Sequence, residues 1–260
     1  MKSLKSYLKP YLNRPLALKL RNFFNFYARS IYLPYNIDSY SISDAFFWRT
    51  DNKTSTIFRF SNIPEQFFDY KNVSVDLIFF SKDGKCIKKY NIKNINISNE
   101  LIINSSFLEG IEDYGTFSIF YNLDNQSIKD VKINNRCYVG FMPVNASIPS
   151  FVHGNYHAQF RLFGKDKNIY KDIMQASRRN SKYIIQKDFS DALKIELLFC
   201  NPTSKEIKIN VNDNKFYLKP LESRIIEANK SPIIISSNLM TPRPIIYATY
   251  NNGYIDCCHA

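Results

Sequence analysis

Asp83-Gly84 lies between two short runs of alternating apolar and polar residues, and that combination restricts the fold more than any other feature of the chain. Such a pair supplies the positive φ angles of a type I′ turn. The run through Val73, Val75, Leu77 and Phe79 is therefore predicted to fold back onto a strand over 86–92. The alternation recurs at 56–61, where Thr56, Phe58 and Phe60 interleave with Ile57, Arg59 and Ser61, and further strands are predicted at 117–121 and 136–141. No helical pattern intervenes, which argues for antiparallel sheets and against an α/β sheet.

The second half repeats the plan. Leu193, Ile195, Leu197 and Phe199 form one strand face, Asn201-Pro202 breaks the run, and Ile207, Ile209 and Val211 begin the next strand. Three stretches match in the same order: Phe58 to Pro64 with Leu197 to Pro202, Phe117 to Asn122 with Ile246 to Asn251, and Phe151 to Gly154 with Cys257 to Ala260. Each half has the length of one β-sandwich. The expected fold class is all-β, with two antiparallel β-sandwich-like units over 40–155 and 156–260, related by internal duplication. Between them, 164–183 is predicted as a connection holding a short helix at 168–175 and an exposed basic loop over 165–182.

Charge enters where partners are considered. Of the formal +12, residues 1–37 hold seven Lys and Arg and no acid, so only +5 remains for all the rest. That imbalance weakens a nucleic-acid reading of the whole chain and leaves one only for the basic N-terminus and the 165–182 loop. Within the 1–39 segment, Asn13 and Pro15 open an amphipathic helix over 14–33, with Leu16, Leu20, Phe23, Phe24, Tyr27 and Ile31 on one stripe. Lys19 and Arg21 interrupt it, so neither a membrane span nor a signal peptide is expected. An anionic membrane face, a membrane-bound partner or the helix's own domain could cover the stripe. The odd count of five cysteines fits a reduced, cytoplasmic chain, peripheral at the inner membrane if the helix binds there.

Ser150 to Phe163 holds two of the three histidines. Gly154-Asn155 reads as a two-residue type II′ turn, with His157, Gln159 and Arg161 along one face of the following strand. In that hairpin His153 and His157 face opposite ways. A zinc or iron site would then use one of them, His153 first, with His259 and Cys257 or Cys258, and the expectation without it is no cofactor. Chain-wide there is no phosphate loop, nucleophile elbow, Cys-x-x-Cys or His-Glu-x-x-His. Trp48, the one tryptophan, stands beside Arg49 and between Asp44 and Asp51; it either stacks on a sugar or fills a core.

The set Ser43-Asp44, Phe47-Trp48-Arg49, Tyr138-Val139-Gly140, Ser150 to Asn155, Asn201-Pro202 and a closing strand with His259 resembles a group of bacterial β-sandwich proteins encoded among surface-polysaccharide biosynthesis genes. The resemblance covers 40–260 and departs at the end, where His259-Ala260 stands in place of His-Gly. It implies a setting in glycan assembly and no mechanism. The expected function is an accessory glycan-binding protein using Trp48, Arg49, His153, Asn155, His157, Gln159 and Arg161. The alternative is a histidine- or metal-dependent enzyme on a sugar or sugar nucleotide, centred on His153 and His259.

Overall fold

A computed structural model describes residues 39–123, 131–144, 146–163, 170–172, 176–185, 188–228, 232–239 and 242–260, with 16, 17, 20 and 23; at 156–158, 170–172 and 177–179 only the backbone is described. The N-terminal helix expected over 14–33 lies mostly outside these residues. Leu16, Ala17, Leu20 and Phe23 are helical.

The body is all-β, as the alternation implies, with one short helix, α1 (Ile63–Phe68). Among the described residues, four sheets account for the strands. The first contains β1 (Tyr40–Arg49), β3 (Ser74–Ser81), β4 (Cys86–Ile92), β6 (Tyr114–Asn122), β10 (Asn155–Leu162) and β11 (Tyr170–Asp172), in the order β11-β10-β1-β6-β3-β4. A further strand, β7 (Lys132–Asn135), lies parallel to the start of β1. The second sheet runs from β5 (Ser98–Ile103) through β2 (Thr54–Ser61) and β8 (Tyr138–Pro143) to β9 (Ser150–His153). The third runs from β16 (Ser223–Glu227) through β13 (Lys194–Cys200) and β18 (Ile245–Thr249) to β19 (Ile255–His259). The fourth runs from β12 (Ala176–Ile185) through β17 (Ile233–Leu239) and β14 (Ile207–Val211) to β15 (Asn214–Leu218).

Strand positions in the two halves correspond. The order β1-β6-β3-β4 becomes β12-β17-β14-β15, and β5-β2-β8-β9 becomes β16-β13-β18-β19, once β7, β10 and β11 are set aside. The cores are not partitioned so simply. Phe46, Phe58, Phe79, Phe117, Val139 and Phe141 fill the space between the first two sheets, and Leu198, Ile245 and Tyr247 of the third join them. Opposite residues of the same strands, Ile195, Leu197, Phe199 and Ile246, face the fourth sheet over a second core with Ile207, Ile209 and Ile235. The third sheet is thus buried on both faces, which is why β13 reads as a nearly continuous apolar run.

Three local expectations need correction. The hairpin at Asp83-Gly84 forms, but only Gly84 has a positive φ, +76°. Its amide donates to the Ser81 carbonyl at 2.9 Å while the Ser81 amide donates to the Lys85 carbonyl, so the connection is a three-residue loop and not a type I′ turn. Residues 150–162 do not form a hairpin: β9 pairs with β8, whereas β10 pairs with β1 in another sheet. The boundary expected at 155/156 falls one residue into β10, a strand that pairs with β1. Gly154 has no positive φ; it permits close approach, because a Cβ there would lie 2.5 Å from the Phe46 ring and 2.6 Å from the Asp44 Cβ. Finally, β11 and β12 occupy much of 170–185, where a helix and an exposed loop were expected.

Candidate functional site

Several residues expected to meet a ligand are committed to the interior. Trp48 has no exposed surface, and its indole Nε1 donates to the Phe80 carbonyl at 2.9 Å, so neither ring face is open to a sugar. Arg49 is 3% exposed. Its guanidinium donates to both Asp51 carboxylate oxygens, at 2.9 and 2.8 Å, and to Glu196 Oε2 at 2.8 Å, and stacks over Tyr247. Burial opposes the charge, yet the two carboxylates outweigh it and hold the pKa above the ordinary arginine value.

On the polar face of β10, Gln159 and Arg161 are likewise internal. Arg161 Nη1 donates to Asp76 Oδ2 at 2.6 Å, and buried Gln159 accepts from Ser118 Oγ at 3.4 Å. Burial works against the Asp76 carboxylate, but hydrogen bonds from Asn122, Arg161 and Asn91 win and keep its pKa low. Asn155 is buried, with its amide against Cys200 Sγ at 3.8 Å. His157 is in backbone register with Asp44. Arg161 and Gln159 tie β10 to β3 and β6 within the first sheet, and Asn155 braces it against β13.

His153 and His259 do come together. Both end edge strands, and those edges run side by side: the Cys257 amide donates to Ser150 Oγ at 2.9 Å, and the His259 side chain hydrogen-bonds the His153 backbone. The Nδ1 atoms of both rings are buried and, among the described residues, have no hydrogen-bond partner. The Tyr138 ring lies against His153 with centroids 4.2 Å apart and planes tilted by 35°. Burial first, then the charges of Arg243, His153 and Arg136, push His259 down to about 4, so the imidazole is neutral near pH 7. Cys257, offered with the two histidines as a third ligand, has its side chain in the first core, where burial raises its thiol pKa. Among the described residues no three His, Cys, Asp or Glu side chains converge as a ligand set.

A second feature lies at the other end of the β18–β19 hairpin. Asp191, Tyr250, Asn251, Asn252, Tyr254 and Asp256 line an open hollow of about 520 Å³. The turn Tyr250 to Tyr254 builds it: Gly253 takes φ +75°, and its amide donates to the Tyr250 carbonyl at 3.0 Å. The two tyrosine rings stand 6.1 Å apart and tilted by 44°, with Tyr254 53% exposed. Amides, carboxylates and aromatic faces around one hollow offer hydrogen bonds to hydroxyls and stacking surface to a C–H-rich ring. None of the six was singled out in the sequence, although an Asn-Asn-Gly turn flanked by tyrosines and followed by Asp256 was the available signal.

No family model and no curated protein matches the chain. Among solved structures, it is similar to Streptomyces avermitilis α-L-rhamnosidase complexed with L-rhamnose, at 8% identity and TM-score 0.25, over 86% of this chain and 26% of that one. It is also similar to a cupin 2 conserved barrel domain protein from Leptotrichia buccalis, at 10% identity and TM-score 0.17, over 83% of this chain and 93% of that one. Overlaps this loose carry no argument about fold or activity.

Proposed function

We propose that this is an accessory glycan-binding protein of bacterial surface-polysaccharide assembly, built from a duplicated β-sandwich-like unit. The observation that carries the binding reading is the tyrosine-lined hollow at the β18–β19 turn, which takes over the role first expected of Trp48 and the β10 face. Equivalent strand orders in the two halves support the duplication. Of the three sequence matches, Phe58 to Pro64 with Leu197 to Pro202 and Phe151 to Gly154 with Cys257 to Ala260 fall on corresponding strands, β2 with β13 and β9 with β19. The third pairs β6 with β18, which hold different places.

Saturation-transfer NMR with oligosaccharides released from bacterial surface polysaccharide tests the binding reading. Sugar protons should receive saturation from the wild-type protein. Tyr254→Ala, which removes one stacking face worth about 1 kcal/mol, should weaken binding by roughly five- to tenfold. Unchanged transfer in that variant would move the ligand elsewhere.

The peripheral location rests on the N-terminal segment. Leu16, Leu20 and Phe23 are helical and largely exposed, within a stretch whose formal charge is entirely positive, a combination suited to anionic lipid. No helix among the described residues is long and apolar enough to cross a membrane. The full-length protein is expected to float with anionic vesicles at low salt and to stay behind when Phe23 and Phe24 become Ser. Failure to float at low salt would remove the membrane from the proposal.

The convergence of His153 and His259 favours a second reading, a histidine- or metal-dependent enzyme on a sugar or sugar nucleotide. Stoichiometric zinc or iron, lost in His259→Ala, would promote it. Nucleic-acid binding through the basic segment has no further support.

A further inference from the structure

The fourth sheet turns its two faces to different surroundings. Buried and half-buried residues alternate along β14 and β17, and buried and exposed residues alternate along β15 from Lys215 onward. The buried set faces the second core, and the other set forms an outer face in contact with solvent. Register places Lys182, Ser236, Asn210 and Lys215 in one row across that face, with Lys208 beside Tyr217 in the next. The strand stretches 181–185, 207–211, 214–218 and 233–239 contain no Asp or Glu. Glu206 and Asp213 lie just outside the two ends of β14, and Lys219, level with Glu206, offsets it. In the first half β6 and β3 hold the places of β17 and β14, and there Phe120 and Ile78 are buried. The fourth sheet instead presents lysines, amides and hydroxyls to water.

An acid-free sheet face carrying Lys182, Lys208 and Lys215 attracts negative charge, and its width decides in what form. The row from Lys182 to Lys215 crosses three strand spacings, about 14 Å, and Lys208 stands about 8 Å from Lys215, so one small anion cannot reach them all. We propose that this face binds an acidic polysaccharide, whose carboxylates recur along the chain and meet the lysines in turn. The polar groups between the lysines suit its hydroxyls. Asn210 Nδ2 donates to Ser236 Oγ at 2.9 Å, and Asn238 Oδ1 accepts from the Lys208 amide at 2.7 Å. That leaves the Asn210 carbonyl, the Ser236 hydroxyl proton and the Asn238 amino group for a ligand.

Other polyanions match the face less closely. Single-stranded nucleic acid stacks its bases on aromatic rings, and the exposed ring of the described face, Tyr217, is already met by Lys215 Nζ, 5.0 Å from its centroid. A bilayer needs apolar side chains at the centre of the contact, whereas Ile184 and Ile234 are paired at one margin. The face is also separate from the tyrosine hollow, which is built at the β18–β19 turn of the third sheet, so either site can fail without the other.

Fluorescence anisotropy of the full-length protein with a labelled oligogalacturonate tests the proposal. Binding should weaken as salt is added. Two surface charge contacts together support an affinity loss of roughly fivefold in a Lys208→Gln, Lys215→Gln double variant, and Lys182→Gln on another strand should lose roughly twofold. Thermal melts check that both variants keep the fold. The fully methyl-esterified oligomer, which has the same backbone and no charge, should not bind. Unchanged affinity in the variants would place the probe on the basic N-terminal segment and overturn the proposal. Equal binding of the esterified oligomer, or no binding of the acidic one at low salt, would do the same. A preference for oligo(dT) or for phosphatidylglycerol vesicles, removed by the same substitutions, would reassign the face to nucleic acid or to membrane and overturn it as well.

Discussion

Arg49→Ala should be among the most damaging single substitutions in the chain, costing about 3 kcal/mol and lowering the melting temperature by roughly 6–12 °C. The guanidinium joins the end of β1 to β13, 147 residues away, through Glu196, whose side chain is only 10% exposed. Removing the cation strips that buried carboxylate of its main partner, and the cost of an uncompensated interior charge exceeds the worth of the contact itself. Lys194 still reaches Glu196 at 2.9 Å from a half-exposed position, and Asp51 is open enough to rehydrate, so the loss should stop short of unfolding. Pairing Arg49→Met with Glu196→Gln should recover at least half of it. Urea denaturation of the single and double variants measures both values. A loss below about 0.5 kcal/mol in Arg49→Ala would mean that the pair is solvated and does not lock the halves together.

Gly115→Ala is expected to cost a similar amount for a different reason. Gly115 is paired with Trp48 on one side and with Ser81 on the other, in the middle of the first sheet. A Cβ there would lie 2.1 Å from the Phe80 carbonyl oxygen and 2.8 Å from the Trp48 indole nitrogen. Those two atoms are hydrogen-bonded to each other, so one methyl group both collides with backbone and breaks a buried bond. Overpacking of this kind costs about 1–3 kcal/mol, and an orphaned buried carbonyl adds about 1–3 more. Trp48 is the one tryptophan, which makes its fluorescence a direct reporter. Native emission should be that of an apolar site, shifted to the red in Gly115→Ala at a lower urea concentration than in wild type. Unchanged emission and midpoint would place the indole outside this contact.

These two sites show why the sequence was readable in some places and not in others. Strands β4 and β14 match the expected ranges 86–92 and 207–211, because local alternation and a flanking turn decide them. Trp48 could be read two ways, and what decided between them was a carbonyl 32 residues distant. The Gly154 turn failed because glycine has two uses that look alike in a sequence: a positive φ, and room for a neighbour. Here the neighbour is the Phe46 ring, and the chain crosses from one sheet to another where a hairpin would have kept it in one. Arg161 and Gln159 read as a ligand face because alternation gives the side of a strand but not what covers it. The His153 and His259 pairing was legible only through matched positions in the two halves, since nothing local links residues so far apart. The hollow went unread because Asn-Asn-Gly is ordinary turn chemistry, and its tyrosines gain meaning only when Asp191 packs beside them.

The central claim, that this β-rich body binds glycan at the β18–β19 turn, is tested most directly by a thermal-shift screen of neutral oligosaccharides against the wild-type protein and a Tyr250→Ala, Tyr254→Ala double variant. A ligand held at one hundred times its Kd stabilises the folded state by about 2.7 kcal/mol, which such a screen detects readily. Binding at the hollow requires that at least one oligosaccharide raise the wild-type melting temperature and leave the double variant unmoved. Equal stabilisation of both proteins, or none of either across the panel, would contradict it.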